Sequence, residues 1–354
     1  MPGELSGSVL LARQPESSNV RPRERSWAAA IEERLLLPTY ASKWAFASVA
    51  AHRTLALPLQ LAGPVNRWVA YSAGRAIEIA GIGRVKLIEP FCAGAFGGLS
   101  QQSQESSRTV SSPNRLGRVH ADIVVAEVHR WMAPRFRRAG WIIVPDAVRW
   151  HGILAELPPA EPSRSLAEDL RKMKKQDFRI EQTTARQDWE FFFTRMVQPQ
   201  ALARHGESAW LPSSDFLRAL ARTGTLHLVS RAGERVAGLC TVPHGDKLWL
   251  PLSGVLDGDP ALLRQGAGFA ALALALEWGK ANGFLRVDVG RTGPFLNDGV
   301  QQYKRKWGLR PVSDPLAHLL AVRVNSETAR AVFDQRPVLI ENGSELDIYR
   351  GQTE

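Results

Sequence analysis

Cysteine is nearly absent from this chain: 354 residues hold two, Cys92 and Cys240. Two thiols build no disulfide framework, and no His or Cys stands at metal-ligand spacing from another, so no metal is expected. Sparse cysteine also makes a reducing, cytoplasmic setting the default. The opening Met1-Pro2-Gly3-Glu4 is not basic and then apolar, so no signal peptide is expected. No run reaches the ~20 apolar residues of a membrane span. The greasiest early segment, Trp44 to Gly63, is interrupted by His52, Arg53 and Pro58. It reads as a buried helical segment, with contact at a membrane surface as the alternative. No P-loop, dinucleotide fingerprint or Ser-His-Asp order stands out.

What the chain does hold is ordinary for a globular protein: 44% hydrophobic and 23% charged residues, in a length that suits two domains or lobes. Eleven tryptophans are spread from Trp27 to Trp307 and read as core and lobe-packing mass. The formal charge of +10 invites nucleic acid as a partner, but it is unevenly placed. Residues 1–150 hold 19 Lys+Arg against 11 Asp+Glu, and residues 151–354 hold 26 against 24. Near-neutrality of the later part gives no reason to expect DNA and disfavours tRNA, while the basic earlier part keeps tRNA open. Arg130, Arg135, Arg137 and Arg138 cluster either as a solvated helix end or as a patch for phosphate or an anionic substrate.

Composition and periodicity divide the chain. Residues 1–25 read as a disordered leader. Residues 26–99 read as a basic N-terminal region, helical over 26–80. Residues 100–113 are polar and of low complexity, a linker. Residues 114–164 hold extra elements or a degenerate lobe: a helix over Ala121–Arg138, then a buried strand over Gly140–Pro145. From Ser165, where Ser165 and Glu168 suggest a capping box, an ordered series runs β-α-α-β-β-β-α-β-α-β, then α and β. It includes a strand at Lys247–Val255 containing Pro251, a long helix over Pro260–Ala281, and a strand at Leu285–Val289. A helix over Asp298–Lys306 follows, with Asp298 and Gln301 as a second capping box.

The densest chemistry lies between Val287 and Gly308. Asp288-Val289-Gly290-Arg291 is followed by Asn297-Asp298-Gly299-Val300, by Tyr303-Lys304, and by Lys306-Trp307-Gly308. A strand, a Gly/Pro loop and a short helix in so few residues form the kind of strand-end loop that binds ligands. This stretch resembles the end of a GNAT-type acyltransferase domain, nearest to the FemAB-like branch. The resemblance covers roughly residues 165–350. It implies a mixed α/β fold with a mainly antiparallel sheet flanked by helices, a helical N-terminal extension, and a degenerate second lobe as an option. It implies an N-acyltransferase, in the first instance an N-acetyltransferase, passing an acyl group from acetyl-CoA or another acyl-CoA to an amine by direct attack. The acceptor would be an amine-bearing small molecule, or a glycan or cell-wall precursor. The FemAB branch implies a second version with aminoacyl-tRNA as donor and a cell-wall or polysaccharide precursor as acceptor. A catalytically silent binding or scaffold protein is the reading from another class.

Candidate residues follow. Gln265, Gly266 and Gly268 open the long helix, where exposed N–H groups favour a pyrophosphate. The family loop is Arg/Gln-x-x-Gly-x-Gly/Ala, and this chain is one residue short of it counted from Arg264. The other reading is that these glycines permit tight helix–sheet packing. Pro251 marks a bulge, an edge or a splay. By the resemblance, Leu252 and Gly254 flank the backbone that holds the thioester and its developing oxyanion. Asp288 either handles the proton of a substrate amine or pairs with Arg291 to pin the loop. Tyr303 and Trp307 share a stripe with Val300 that reads as core, although the family uses a tyrosine to protonate the leaving thiolate. Arg291, Asn297, Lys304 and Trp307 are candidate substrate contacts, and Lys304 is otherwise a solvated helix residue. His205, in a loop between two helices, is a candidate general base.

Overall fold

The computed structural model describes residues 62–110, 112–206, 209 and 211–351. The expected leader, and the apolar segment as far as residue 61, lie outside them. In chain order, β1 (Ala62–Ser72) and β2 (Arg75–Ile82) form a hairpin, followed by α1 (Val85–Phe96), β3 (Ser100–Val110) and a single turn α2 (Pro113–Leu116). Next come β4 (Ile123–Val128), α3 (Ala133–Arg138), β5 (Ile142–Pro145) and β6 (Val148–Ile153). Helix α4 (Arg164–Lys175) leads to β7 (Arg179–Thr183) and α5 (Arg186–Phe192). A wide helical turn, Phe193–Val197, joins α5 to α6 (Gln198–His205), and α7 is Ser214–Thr223. A meander follows: β8 (Thr225–Arg231), β9 (Glu234–His244), β10 (Lys247–Trp249) and β11 (Ser253–Val255). Helices α8 (Pro260–Arg264) and α9 (Ala267–Ala281) precede β12 (Arg286–Thr292), α10 (Gly299–Lys306) and β13 (Arg310–Ser313). The chain closes with β14 (Leu319–Val324), α11 (Glu327–Gln335), and the hairpin of β15 (Val338–Asn342) and β16 (Glu345–Tyr349).

These elements build two mixed, mainly antiparallel sheets. The first has the order β3-β1-β2-β4-β14-β5, the second β13-β6-β12-β10-β9-β8-β7 with β11 added to β9. Helix α9 covers one face of the second sheet. Its Ala and Leu residues are apolar on most sides, and Ala270, Ala271, Ala275 and Leu276 are buried with Leu248, Val287 and Trp150. Trp307 of α10 joins the same core, its ring 4.6 Å from that of Phe269. The opposite face carries Trp249 and Cys240 under α5 and α7. Each sheet contains one parallel pair, β2 with β4 and β10 with β12. In the first, the helix start after β2 is closed by Arg84, whose guanidinium pairs with Glu127. Among the described residues no helix is long and apolar enough to cross a membrane.

Several sequence expectations are corrected here. The helix read through residue 80 gives way over 62–82 to the β1–β2 hairpin, turned by Ala73 and Gly74, both with positive φ. That turn type favours Asn-Gly, so Ala-Gly hid it. The 100–113 linker contains β3, whose backbone pairs with β1 at the sheet edge, a place that polar sequence tolerates. The Ala121–Arg138 helix is β4 followed by the short α3. Ile123–Val128 is buried throughout because cores lie on both faces of β4, and such a run carries no period that separates strand from helix. Helix α4 is capped by Ser163, which accepts from the Leu166 N–H, and not by Ser165. The boundary at 164/165 does not separate two units: β6 belongs to the second sheet and β14 to the first.

Candidate active site

Strands β10 and β12 run side by side for only three residues, Lys247–Trp249 against Arg286–Asp288. The Leu250 N–H still reaches the Asp288 carbonyl, at 2.8 Å. Then the strands part. Pro251 has no N–H with which to continue the ladder. The chain turns to β9 alone, where the Cys240 N–H donates to the Leu252 carbonyl at 2.9 Å. On the other side β12 bulges at Gly290, φ 74°, whose N–H donates to Asp288 Oδ1 at 2.9 Å. The gap thus opens at the C-terminal ends of two parallel strands, the usual ligand side of such sheets. The Leu250 N–H is taken and Pro251 has none. Among the described residues, the Leu252 N–H is left without a backbone carbonyl.

A charged cluster lines the β6 side of this gap. Asp288 is fully buried, and its Oδ2 lies 2.7 Å from Arg149 Nη1 and 3.3 Å from His151 Nε2. Burial alone would raise this carboxyl. Contact with His151, the charge of Arg149 and the Gly290 N–H together outweigh it and hold the group below the usual carboxylate range. Asp288 is therefore sealed and ion-paired rather than free to take a proton. Its partner is not Arg291, which pairs with Asp314. Lys304 is buried too, its Nζ 3.3 Å from the carbonyls of Gly290 and Arg291. Desolvation pulls the ammonium down to about 7, with Asp288 opposing and Arg149 adding to the fall. The expected solvated or substrate-facing lysine is instead a clamp on the β12 bulge. Of the four expected substrate contacts, Arg291 is the one with both charge and exposure.

The donor-side residues divide. Gly266 has φ 92° and caps α9, and a Cβ there would meet nothing within 4 Å, so conformation and not packing requires glycine. A Cβ on Gly268 would meet only ordinary contacts, Val255 at 3.5 Å and Leu263 at 3.6 Å, so tight packing does not explain it either. Gln265 accepts from Arg231 at 2.6 Å and anchors the loop. Gly254 is a packing residue: its Cβ would lie 2.5 Å from the Met196 carbonyl carbon in the wide turn. The Leu252 side chain is buried in the core beneath α5 and α7, which leaves its backbone for any contact with the gap. The long helix expected over 260–281 is broken at Gly266 into α8 and α9.

Tyr303 lines an open cleft of about 610 Å³ together with Ser163, Ser165, Gln302, Arg305 and Lys306. Burial pushes its phenol well up, so it stays protonated. Trp307 is core, 1% exposed. Asn297 donates to the Gln335 carbonyl at 2.6 Å and ties the loop to α11. Asp298 caps α10, but Gln301 donates to the Gly293 carbonyl instead of closing a capping box. His205 ends α6 rather than lying in a loop, and its side chain is outside the described residues. The residues that sequence reasoning missed are Arg149 and His151. They stand on β6, 137 positions before Asp288 in the case of His151, and only strand pairing brings them together.

Comparison with known proteins gives one family match: residues 163–305 fit the model described as "Acetyltransferase (GNAT) domain". No curated protein matches the chain. Solved structures similar to it include L-PGS from Bacillus licheniformis, at 14% identity and TM-score 0.39 over 74% of this chain and 85% of that one. FemX is similar at 11% identity and TM-score 0.38, over 75% and 89%. A GCN5-related N-acetyltransferase from Sphaerobacter thermophilus is similar at 18% identity and TM-score 0.32, over 56% and 58%.

Proposed function

We propose that this chain, whose residues 163–305 form a GNAT acetyltransferase domain, is an N-acyltransferase that passes an acyl group from an acyl-CoA to an amine. The observation that carries the reading is the parting of β10 and β12 after the Leu250–Asp288 bond, beside a helix that starts at Gly266. A thioester arm would lie between the strands, with the Leu252 N–H as donor to its carbonyl oxygen. The first turn of α9 offers unpaired N–H groups for a pyrophosphate. The amine attacks the carbonyl carbon, the C–S bond breaks, and the thiolate leaves with the electron pair. Tyr303, kept protonated by burial, supplies the thiolate's proton. No group in this reading requires a metal, and among the described residues no cluster suited to one is found.

The test is thermal unfolding with acetyl-CoA, free CoA and a long-chain acyl-CoA. Ligand at ~100 times its dissociation constant adds ~2.7 kcal/mol and raises the midpoint. Stabilisation by all three places the CoA moiety in the site, and stabilisation by none overturns the reading. A second reading, transfer from aminoacyl-tRNA to a cell-wall or polysaccharide precursor, is favoured by one observation. Trp131 is 63% exposed beside Arg135 and Arg138, which are also exposed, in the basic part of the chain. Salt-dependent binding of tRNA without any response to CoA would favour it over the first.

A further inference from the structure

We propose that His151 is the base that takes the proton of the attacking amine, with Asp288 as the residue that positions it; this rests on the acyl-transfer reading above. Strand β6 sets His151 opposite Asp288 in the antiparallel register, so both side chains project from the same face of the sheet. Trp249 of β10 continues the row on the far side of Asp288. His151 therefore stands two strands, ~10 Å, from the strand whose end opens the gap. An amine seated over the gap lies between them.

The geometry gives the two ring nitrogens different tasks. Nε2 is buried 3.3 Å from Asp288 Oδ2, while the side chain as a whole is 36% exposed, so the ring opens outward on its Nδ1 side. The carboxylate cannot swing away: Arg149 holds Oδ2 at 2.7 Å and the Gly290 N–H holds Oδ1 at 2.9 Å. A fixed carboxylate beside Nε2 selects the tautomer protonated there and leaves the Nδ1 lone pair facing the open side. The Nε2 contact is not a well-aligned hydrogen bond, as is common before substrate binds. In the reaction Nδ1 takes the amine proton as the C–N bond forms, and the resulting imidazolium is stabilised by Asp288.

The experiment combines one spectroscopic and one kinetic measurement. In the full chain, ¹⁵N shifts of His151 are assigned by comparison with His151→Ala; an Nε2-protonated neutral ring is expected, and an Nδ1-protonated ring overturns the proposal whatever the reaction proves to be. Acetyl transfer from acetyl-CoA to lysine, glucosamine and ethanolamine is then followed from pH 5.5 to 9.5, alongside acetyl-CoA binding. The charged groups facing His151 are Asp288 on β12, Arg149 on its own strand, Arg310 in register on β13, and Lys304 beyond Asp288. His151→Ala should bind acetyl-CoA within about twofold of wild type, lose ~10²–10⁴ in kcat/KM and lose the acidic limb of the profile. Added imidazole should restore part of the rate. A variant that keeps the wild-type profile overturns the assignment of His151. Absence of acetyl-CoA binding by wild type instead overturns the acyl-CoA reading, and the tautomer still decides the role of Asp288.

Discussion

Gly268 lies in the first turn of α9 and Gly254 on β11, and replacing each with alanine should move stability in opposite directions. At Gly268 the new Cβ sits 3.5 Å from Val255 and 3.6 Å from Leu263, ordinary van der Waals contacts inside the first turn of α9. Alanine is better than glycine in a helix by up to ~1 kcal/mol, so Gly268→Ala should be neutral to stabilising. At Gly254 the Cβ meets the Met196 carbonyl carbon at 2.5 Å and its oxygen and the Val197 nitrogen at 2.7 Å. All three are backbone atoms of the wide turn, which cannot move alone, and overpacking of this kind costs ~1–3 kcal/mol. Ligand affinity should split the other way. On the acyl-CoA reading a methyl group at Gly268 would stand among the N–H groups proposed to hold the pyrophosphate, and a tenfold weaker dissociation constant for CoA, ~1.4 kcal/mol, is expected. Gly254→Ala should weaken CoA only through loss of folded protein. Urea unfolding together with calorimetric titration of CoA reads both quantities. Gly268→Ala losing more than ~1 kcal/mol of stability would mean that the glycine serves packing. An unchanged CoA affinity in that variant would remove the start of α9 from the donor site.

Lys304 titrates near 7 in the folded state and ~10.4 unfolded, so between these values the unfolded chain binds more protons and stability should rise with pH. Urea midpoints measured from pH 7 to 9.5 should climb in wild type and flatten in Lys304→Met; equal slopes refute the assignment. Arg149→Met strands the Asp288 carboxylate, 1% exposed, and should cost ~3–5 kcal/mol, with Arg149→Lys recovering only part; a loss under ~1 kcal/mol in calorimetry would show the pair to be dispensable. Tyr303→Phe should keep stability within ~1 kcal/mol, because one hydroxyl is lost while the ring keeps its packing, yet slow acetyl transfer at least ~10-fold. A wild-type rate in that variant assigns thiolate protonation elsewhere.

The second sheet was largely legible because its signals are local. Ser213 before α7, Asp298 before α10, the turns at Gly233 and Gly245, and Pro251 inside an apolar run each fix their element by nearby chemistry. The first sheet was legible only in part: the strand read over Gly140–Pro145 is β5, but β1 to β4 went unread because they lack such signals. β3 is polar and is a strand only because β1 offers it an edge, and β4 is buried throughout because it is covered on both faces. The candidate site divides along the same line. Loop and helix-start residues such as Gly266 announced themselves through glycine and spacing. The partners of Asp288 did not: Arg149 and His151 alternate with Val148 and Trp150 on β6, and nothing within a short window says that β6 pairs with β12. Arg291, the nearest cation in sequence, was the natural but wrong partner.

That same pairing limits what the segment matched by the GNAT model can do alone. Residues 163–305 contain β12 but neither β6 nor β13, which complete the sheet beyond it. Cutting at 163 removes the β6 register from Arg286 to Thr292, takes Arg149 and His151 away from Asp288, and uncovers Val287 and Leu248, which pack with Trp150. Cutting at 305 splits α10 and removes Trp307 from its contact with Phe269. An edge strand of buried apolar residues beside an uncompensated carboxylate is unstable in water and prone to pair with other chains. The fragment 163–305 should therefore fail to unfold cooperatively and should gain no stability from CoA, whereas on the acyl-CoA reading the full chain should unfold cooperatively and be stabilised by CoA. Cooperative unfolding of the fragment with CoA protection would show that β6 is dispensable to the site, and would leave His151 without a part in the chemistry.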